Sequence, residues 1–496
     1  MPAEPPVGSA RRWRLGRGLG AAVTSLVLPG LGQLYLRRRR GFALVGLTVG
    51  VLAVGVWAAS SDPMTLFRFV VRPGVLVWLM VANGALLAAR LYALLDAYVT
   101  GARPFERPAL PLRRTSLAGT ATVLVVLAAL VAAPHAVAGV YVASAQGALR
   151  AAFVDDSPST EPAMVGNHVP KPTPEEPPEP VVEEPPEPPN PWLDQERITI
   201  ALLGSDGGPG RRGERVDSLM VATVDPHTGD AAIFSVDRSF EDFPLPDGLR
   251  GVHASRCLEG EGGGWQYLNA LYRCGRDLAP EQFAALYPDA EDPAAAAMAE
   301  TLGLLLGIPV PYYAKVDMAG FVGIVDALGG VEVNLAEPLH VRVSPARTGD
   351  EPYVVDLGQG PQHLGGREAL AFVRIRADNG GDPNRSRRQR CLINSIVDTA
   401  DVAGIIRGFP TIAAAIEENV TTSIPISLLP DLIELLPRVD AERVVSIGYG
   451  PPEYRPWGAV APDVDLIRER TQETLTDPDA VLARGGTVET GRQACT

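Results

Sequence analysis

Apolar positions fall into two regimes along this 496-residue chain. Between Leu19 and Ala143 they form long uninterrupted runs, and from Arg197 onward they form short runs punctuated by glycine, proline and aspartate. Phe42 to Ser60, Gly74 to Thr100 and Ser116 to Ala143 each have the length and apolarity of a membrane-spanning helix. In the second of these, Arg90 and Asp96 need the interface or a partner. Leu19 to Leu36 is shorter and is broken by Pro29-Gly30-Leu31-Gly32, which predicts an interfacial or re-entrant segment. Arginine clusters at Arg37 to Arg40 and at Arg103, Arg107, Arg113 and Arg114 place those two loops in the cytoplasm. The third span then ends facing outward. A cleaved signal peptide is disfavoured, because apolar segments continue for over a hundred residues.

Pro170 to Pro191 alternates prolines with glutamates, a composition that forms neither helix nor sheet and favours an extended polyproline II rod. It reads either as a stand-off between membrane and outer domain or as a linker with no length requirement. Beyond it, Arg197 to Leu203 is a β-rich run, followed by a glycine-rich loop, the run Leu219 to Asp225, a turn at Asp225 to Gly229, and a strand from Asp230 to Val236. Ala294 to Gly307 and Gly320 to Leu328 have helical patterns closed by glycine, and strands are expected at Tyr312 to Asp317 and Val331 to Leu335. Further helices are expected at Cys391 to Asp401, Ile426 to Leu436 and Pro462 to Leu475. This alternation predicts an α/β fold. A mixed central sheet flanked by helices forms an extracytoplasmic domain, preceded by an α-helical membrane anchor. The expected divisions are 1–144 (anchor), 145–192 (spacer), 193–420 (the outer α/β domain) and 421–496 (a C-terminal helical extension). Apolar helices of the outer domain serve ordinary core packing or line a slot for a lipid chain.

Charge changes the picture at one place. The formal net charge is -14, which argues against a nucleic-acid partner. Yet Leu364 to Gln389 holds Arg367, Arg374, Arg376, Arg385, Arg387 and Arg388. Phe372, Arg374 and Arg376 alternate with Val373 and Ile375, which predicts a half-buried strand over the EALAFVRIR run. Such a strand aims Arg374 and Arg376 to one side about 7 Å apart. That spacing suits the two phosphates of a diphosphate, or else two surface carboxylates. Asp206 and Asp217 stand at strand termini beside loops. They serve either as turn or cap residues or as joint ligands of Mg²⁺, a cation that takes carboxylates plus substrate phosphate. The four cysteines form no CxxC pair, which leaves a zinc site without support. Cys257 and Cys274 flank a glycine-rich insert, so a local disulfide is expected there, leaving Cys391 with Cys495, although four cysteines permit three pairings.

The order of these pieces resembles the LytR-CpsA-Psr family of cell-wall glycopolymer ligases. The matching pieces are Leu202–Asp206 (LLGSD), Arg215–Met220 (RVDSLM), Ser235–Arg238 (SVDR), Leu268–Tyr272 (LNALY), Ile308–Val333, Leu364–Arg376 and Asp382–Gln389. Several motifs in one order are far more specific than any alone. The membrane helices and the PGLGQLY segment also fit some actinobacterial members. The resemblance implies a membrane-anchored phosphotransferase. It would move a glycopolymer from a polyprenyl-pyrophosphate carrier onto peptidoglycan and release polyprenyl phosphate. By motif position, Asp206 and Asp217 match the Mg²⁺ ligands. Arg215, Arg238, Arg374, Arg376 and Arg385 match the pyrophosphate-binding arginines, with Gln389 beside them, and Arg238, Arg374 and Arg376 match the catalytic ones. Two departures stand out. Family members often read PRD where this chain has Asp237-Arg238-Ser239, and often carry lysine where Tyr267 stands. The alternatives are a non-catalytic binder of lipid-linked glycan and a polyprenyl-pyrophosphate pyrophosphatase.

Overall fold

A computed structural model of the chain describes residues 18–60, 69–70, 72, 74–102, 114–153, 192–193, 195–207, 213–252, 267–343, 351–375, 381–399, 412–435, 438–439, 444–455, 461–484 and 488–490. The proline- and glutamate-rich run Pro170 to Pro191, Arg376, Cys257, Cys495, and the basic residues Arg103, Arg107 and Arg113 lie outside these, whereas the first residues of the expected spacer, 145–152, belong to a helix. The chain divides into two compact units, Met1–Gln146 and Gly147–Thr496.

The first unit is helical. After a short apolar helix, Gly18–Val27, come Leu31–Tyr35 and then α1 (Arg40–Ser60), α2 (Val75–Ala102) and α3 (Arg114–Ala152). By length and composition, two described stretches can cross a membrane: Val75–Gly101 in α2 and Ala121–Ala152 in α3. The helix α1 occupies the first expected span. The segment from Leu19 to Leu36 is a helix–turn–helix, because Pro29 and the left-handed Gly30 interrupt it.

The second unit is built on a seven-stranded mixed sheet ordered β11-β10-β3-β2-β1-β4-β9. Its strands are β1 (Ile198–Ser205), β2 (Val216–Val224), β3 (Ala231–Val236), β4 (Tyr312–Val316), β9 (Val420–Thr422), β10 (Val445–Tyr449) and β11 (Val488–Thr490). The pairs β1–β4 and β3–β10 are parallel; the remaining pairs in this sheet are antiparallel. Two two-stranded ladders lie apart, β5 (Val331–Leu335) with β8 (Gly360–Leu364) and β6 (Leu339–Val343) with β7 (Tyr353–Leu357).

Side-chain alternation gives the central sheet two different faces. Leu203, Leu219, Val221, Phe234 and Ile447 turn into the main core with α4 (Pro293–Leu306) and Ile467 of α8 (Val464–Thr476). Phe234 stacks on Tyr449 at 5.9 Å, a centroid distance at which aromatic pairs add to burial. Leu202 and Met220, paired across β1 and β2, turn to the opposite face. That face is covered by α5 (Met318–Ala327), α6 (Gly366–Arg374) and α7 (Gly381–Thr399).

The helices start where an aspartate satisfies an orphan N–H. Asp292, Asp317 and Asp463 each accept from the backbone three residues on, Ala295, Gly320 and Leu466, at 2.8 to 3.1 Å. Removing one such cap costs about 1 kcal/mol. Asp463→Ala is therefore expected to speed amide exchange in the first turns of α8 about five-fold, read by hydrogen exchange, while α4 stays at its native rate.

Two sequence expectations are corrected. The described part of the EALAFVRIR run is not a strand; Glu368 to Arg374 belong to α6, and Ile375 is extended after it. The alternation covered too few residues to outweigh strong helix formers such as Glu368, Ala369, Leu370 and Ala371. Ala369, Leu370, Ala371, Phe372 and Val373 are buried in succession, so this part of the helix is covered on more than one side. The region after residue 420 is also not a helical extension, since β10 lies inside the sheet beside β3. Its run of Val444, Val445, Ser446 and Ile447 is continuously buried, as expected of a strand covered on both faces.

Candidate active site

Asp217 owes its position to an irregular register. Gly204 pairs with Ser218, but the next residue, Ser205, pairs with Val216. Asp217 is thus the extra residue of a β-bulge, a device that re-aims one side chain out of the ladder. Asp206 directly follows β1, and its Oδ1 accepts from the Arg215 backbone N–H at 2.7 Å while its own N–H donates to the Arg215 carbonyl at 2.9 Å. These two bonds close the neck of the glycine-rich loop and bring both aspartates to the same sheet end.

Cations and an amide converge on Asp217. Arg238 Nη1 donates to Oδ1 at 2.8 Å, and so does Asn269 Nδ2 at 2.8 Å. Arg385, 3% exposed, lies 3.9 Å from Oδ2 and donates from Nη2 to the Asp217 carbonyl at 3.2 Å. Burial works to raise the Asp217 carboxyl, but Arg238, the Asn269 amide and Arg385 outweigh it and hold it below its ordinary value of 3.8.

A cavity of about 490 Å³ opens here between the sheet and α5, α6 and α7. Asp206, Asp217, Arg374, Arg385 and Gln389 are in its polar lining with Asp317, whose Oδ1 is already engaged in capping α5, and Met220, Phe321, Ile324, Leu392, Ile393 and Ile396 line its apolar part. One helix face explains the division. Arg385, Gln389, Leu392, Ile393 and Ile396 recur at helical spacing, so α7 presents one stripe that runs from cationic to aliphatic over about 16 Å. Arg374 enters from the last turn of α6.

Of the expected site residues, Asp206, Asp217, Arg374, Arg385 and Gln389 line the cavity, and Arg238 reaches it by bonding Asp217. Arg215 is not among the lining residues; its backbone holds Asp206. Arg376 lies outside the described residues. Other arginines of the same run serve the fold. Arg367 lies 4.2 Å over the Tyr353 ring, and Arg388 donates to the Ile375 carbonyl. Asn269 is the functional residue that sequence reasoning passed over, although the LNALY motif contains it. It is 1% exposed and its backbone N–H is fixed by the Arg238 carbonyl.

The departures at 237 and 239 answer each other. Asp237 Oδ1 accepts from the Ser239 backbone at 2.8 Å and from its hydroxyl at 2.6 Å, and Arg455 lies 3.6 Å from Oδ2. This closed set braces the turn that presents Arg238. Across the sheet, Glu214 pairs with Arg276 and Lys315, and Lys315 lies 3.0 Å from Asp292. That network anchors the far end of the Asp206–Arg215 loop. Neither described cysteine, Cys274 or Cys391, is a free thiol.

Among the described residues no group of three or more His, Cys, Asp or Glu gathers for a metal. Asp206 and Asp217, facing a cavity lined by cations, fit Mg²⁺ in the form that takes one or two carboxylates and completes its shell with substrate phosphate and water.

The chain is 28% identical over 233 residues to the polyisoprenyl-teichoic acid–peptidoglycan teichoic acid transferase TagU of Bacillus cereus (strain AH820), a match covering 46% of this chain and 61% of that one. It is 29% identical over 229 residues to the probable cell wall biosynthesis protein LcpB of Corynebacterium glutamicum, covering 45% and 44%. The crystal structure of B. subtilis TagV is similar at 23% identity and a TM-score of 0.39, covering 57% of this chain and 98% of that one. The matches thus span less than two thirds of the two relatives' own lengths. The LytR_cpsA_psr family model matches residues 171–449, more than half of the chain, and the chain belongs to that family.

Proposed function

We propose that this protein transfers a glycopolymer from a polyprenyl-pyrophosphate carrier to peptidoglycan. Unit Met1–Gln146 anchors it as a multi-pass membrane segment of about three spans, and residues 145–192 serve as an extracytoplasmic spacer. The observation that carries the reading is the single cavity whose lining changes from paired carboxylates and arginines to aliphatic side chains. A ligand filling it must itself be an anion joined to a greasy chain.

In this reading Arg374 and Arg385 fork the non-bridging oxygens of the diphosphate. Arg238 and Asn269 keep Asp217 ionised and oriented, and Gln389 donates beside them. Asp206 and Asp217 would hold Mg²⁺, which when bound neutralises charge on the phosphates. An acceptor hydroxyl oxygen forms a bond to the sugar-side phosphorus, and its proton passes to water. The bond from that phosphorus to the bridging oxygen breaks, and polyprenyl phosphate leaves. Stabilising charge spread over the phosphoryl group is the main work of such a site. Peptidoglycan as acceptor is supported by the name of the TagU relative, a polyisoprenyl-teichoic acid–peptidoglycan teichoic acid transferase.

The test follows polyprenyl phosphate released from a polyprenyl-pyrophosphate glycan in the presence of Mg²⁺ and peptidoglycan fragments. Release that requires the acceptor is expected. Release without acceptor would make the protein a pyrophosphatase, and binding without release would make it a carrier. The pH profile gives a second check. With the Asp217 carboxyl held below its ordinary range, its ionisation contributes no acid limb above about pH 4. Its contribution to stability has the matching sign: present above the unfolded value, and lost as pH falls through the folded one. An acid limb near pH 6 that vanishes in Asp217→Asn would contradict this.

A further inference from the structure

Glycopolymer transfer leaves one built feature of the first unit without a use. Between Tyr35 and Phe42 the chain reverses direction and exposes Arg37, Arg38, Arg39 and Arg40 in succession. The loop is fixed by close backbone packing. A Cβ on Gly32 would overlap the Ala21 carbonyl oxygen, one on Gly30 would come within 2.5 Å of the Gly41 carbonyl, and one on Gly41 within 2.7 Å of the Gly30 carbonyl. Gly30 also needs its positive φ of 101°.

Gln33 pins the turn to α2. It is 0% exposed, and its Nε2 donates to the Ala93 carbonyl at 2.8 Å and to Asp96 Oδ2 at 3.2 Å. Its Oε1 accepts from Ser25 Oγ, which in turn accepts from the Gly32 N–H at 3.1 Å. The pin continues into the arginines: the Arg38 N–H donates to the Gln33 carbonyl, and the Arg37 N–H to the Leu34 carbonyl. Arg37 sits in the left-handed region at φ 57°. A basic tail has no such bracing.

The charge is barely compensated. Asp96 is the one described carboxylate facing the cluster, 3.9 Å from Arg40, and it already accepts from Gln33. Arg37, Arg38 and Arg39 have no carboxylate partner among the described residues. Tyr35 and Phe42 are exposed on either side, and α1 continues with exposed Leu47, Val49, Leu52 and Val54. Guanidiniums beside exposed aromatics, above an apolar helix surface, form the side-chain order of a membrane interface. At a membrane interface the anions within reach of such side chains are lipid phosphates.

We propose that Arg37–Arg40 form a preorganised site for the headgroups of anionic phospholipids. The proposal rests on the membrane reading of this unit. Each guanidinium forks phosphate oxygens, and the pinned turn keeps four of them at one depth, so lipid is bound without ordering a loose segment.

The experiment uses the full chain, purified in detergent and exposed to mixed phosphatidylglycerol and phosphatidylcholine, with retained lipid counted by native mass spectrometry. The native chain is expected to retain phosphatidylglycerol preferentially. Each Arg→Gln replacement at 37, 38 and 39 should lower that preference about five-fold at low salt. Gln33→Leu keeps all four arginines but removes the pin, and should lose several-fold of the preference. Because the arginines are exposed, their variants carry the test even if Gln33→Leu fails to fold. Equal retention of both lipids by the native chain overturns the proposal. So does unchanged preference in the triple Arg→Gln variant, or displacement of the lipid by a glutamate-rich peptide at micromolar concentration. Alkaline carbonate extraction separates the underlying reading. A chain washed off membranes refutes the anchor, whereas a chain that stays but shows no lipid preference refutes only the headgroup site.

Discussion

Asp217→Asn is expected to lower acceptor-dependent release of polyprenyl phosphate about 10³-fold with little change in the shape of the site. Asparagine preserves volume but removes the charge on which Arg238, at 2.8 Å, and Arg385, at 3.9 Å, converge. Arg385 is almost fully buried, so it cannot recover the loss by turning to water. Breaking one partner out of a buried ion pair costs about 3–5 kcal/mol, an upper range here because the Asp217 side chain is 30% exposed. The same substitution would remove one of the two carboxylates available to Mg²⁺. Asp237→Asn makes the comparison sharp. That carboxylate braces the neighbouring turn through Ser239 and Arg455 and does not line the cavity, so its loss should cost less than about ten-fold. Release rates of the two variants, at equal yield of folded chain, decide the matter. If Asp217→Asn stays within ten-fold of the native chain, the carboxylate is not part of the transfer site.

The difference between these two aspartates could not be read from sequence, and the reason is physical. Asp237 follows a β-rich run and Asp217 precedes one, and each sits next to an arginine or a serine. What separates them is a register slip between β1 and β2, and register depends on pairing between strands rather than on the composition of either. Elements with a strong period and an identifiable cap were legible. The helix α4 starts at Asp292-Pro293 and ends at a left-handed Gly307, and the strands β1, β3, β4 and β5 stand within two residues of their expected bounds. The arginine run was misread because a few alternating residues can equally belong to a helix, and the continuous burial of Ala369, Leu370, Ala371, Phe372 and Val373 leaves no one-sided pattern to read. That error had a second consequence. With α7 begun at Cys391 instead of Gly381, Arg385 and Gln389 were separated from Leu392, Ile393 and Ile396, and the stripe that joins the polar to the greasy half of the cavity went unseen. Asn269 was legible only as part of a motif, since its contact with Asp217 spans 52 positions.

That stripe makes chain length the property most open to redesign. Ile396 lies about 16 Å along α7 from Arg385, at the aliphatic extreme of the helix face. Ile396→Trp is expected to fill that extreme and exclude the last few carbons of a long polyprenyl chain. Each buried methylene contributes about 0.8 kcal/mol, so excluding about four removes about 3 kcal/mol of binding, or about 100-fold in kcat/KM. The diphosphate end is untouched, so kcat at saturating substrate should hold, and the loss should reside in KM. A carrier short enough to end before Ile396 should be used by the variant at the native rate. Ile396→Ala, which widens the same place, should leave both substrates nearly unchanged. The measurement is kcat/KM for a long and a short carrier in each variant. Equal losses on both carriers would mean that tryptophan had disturbed the arginines rather than the slot. No loss on either would mean that the lipid does not run along α7, and the apolar half of the cavity would then be packing rather than a binding site.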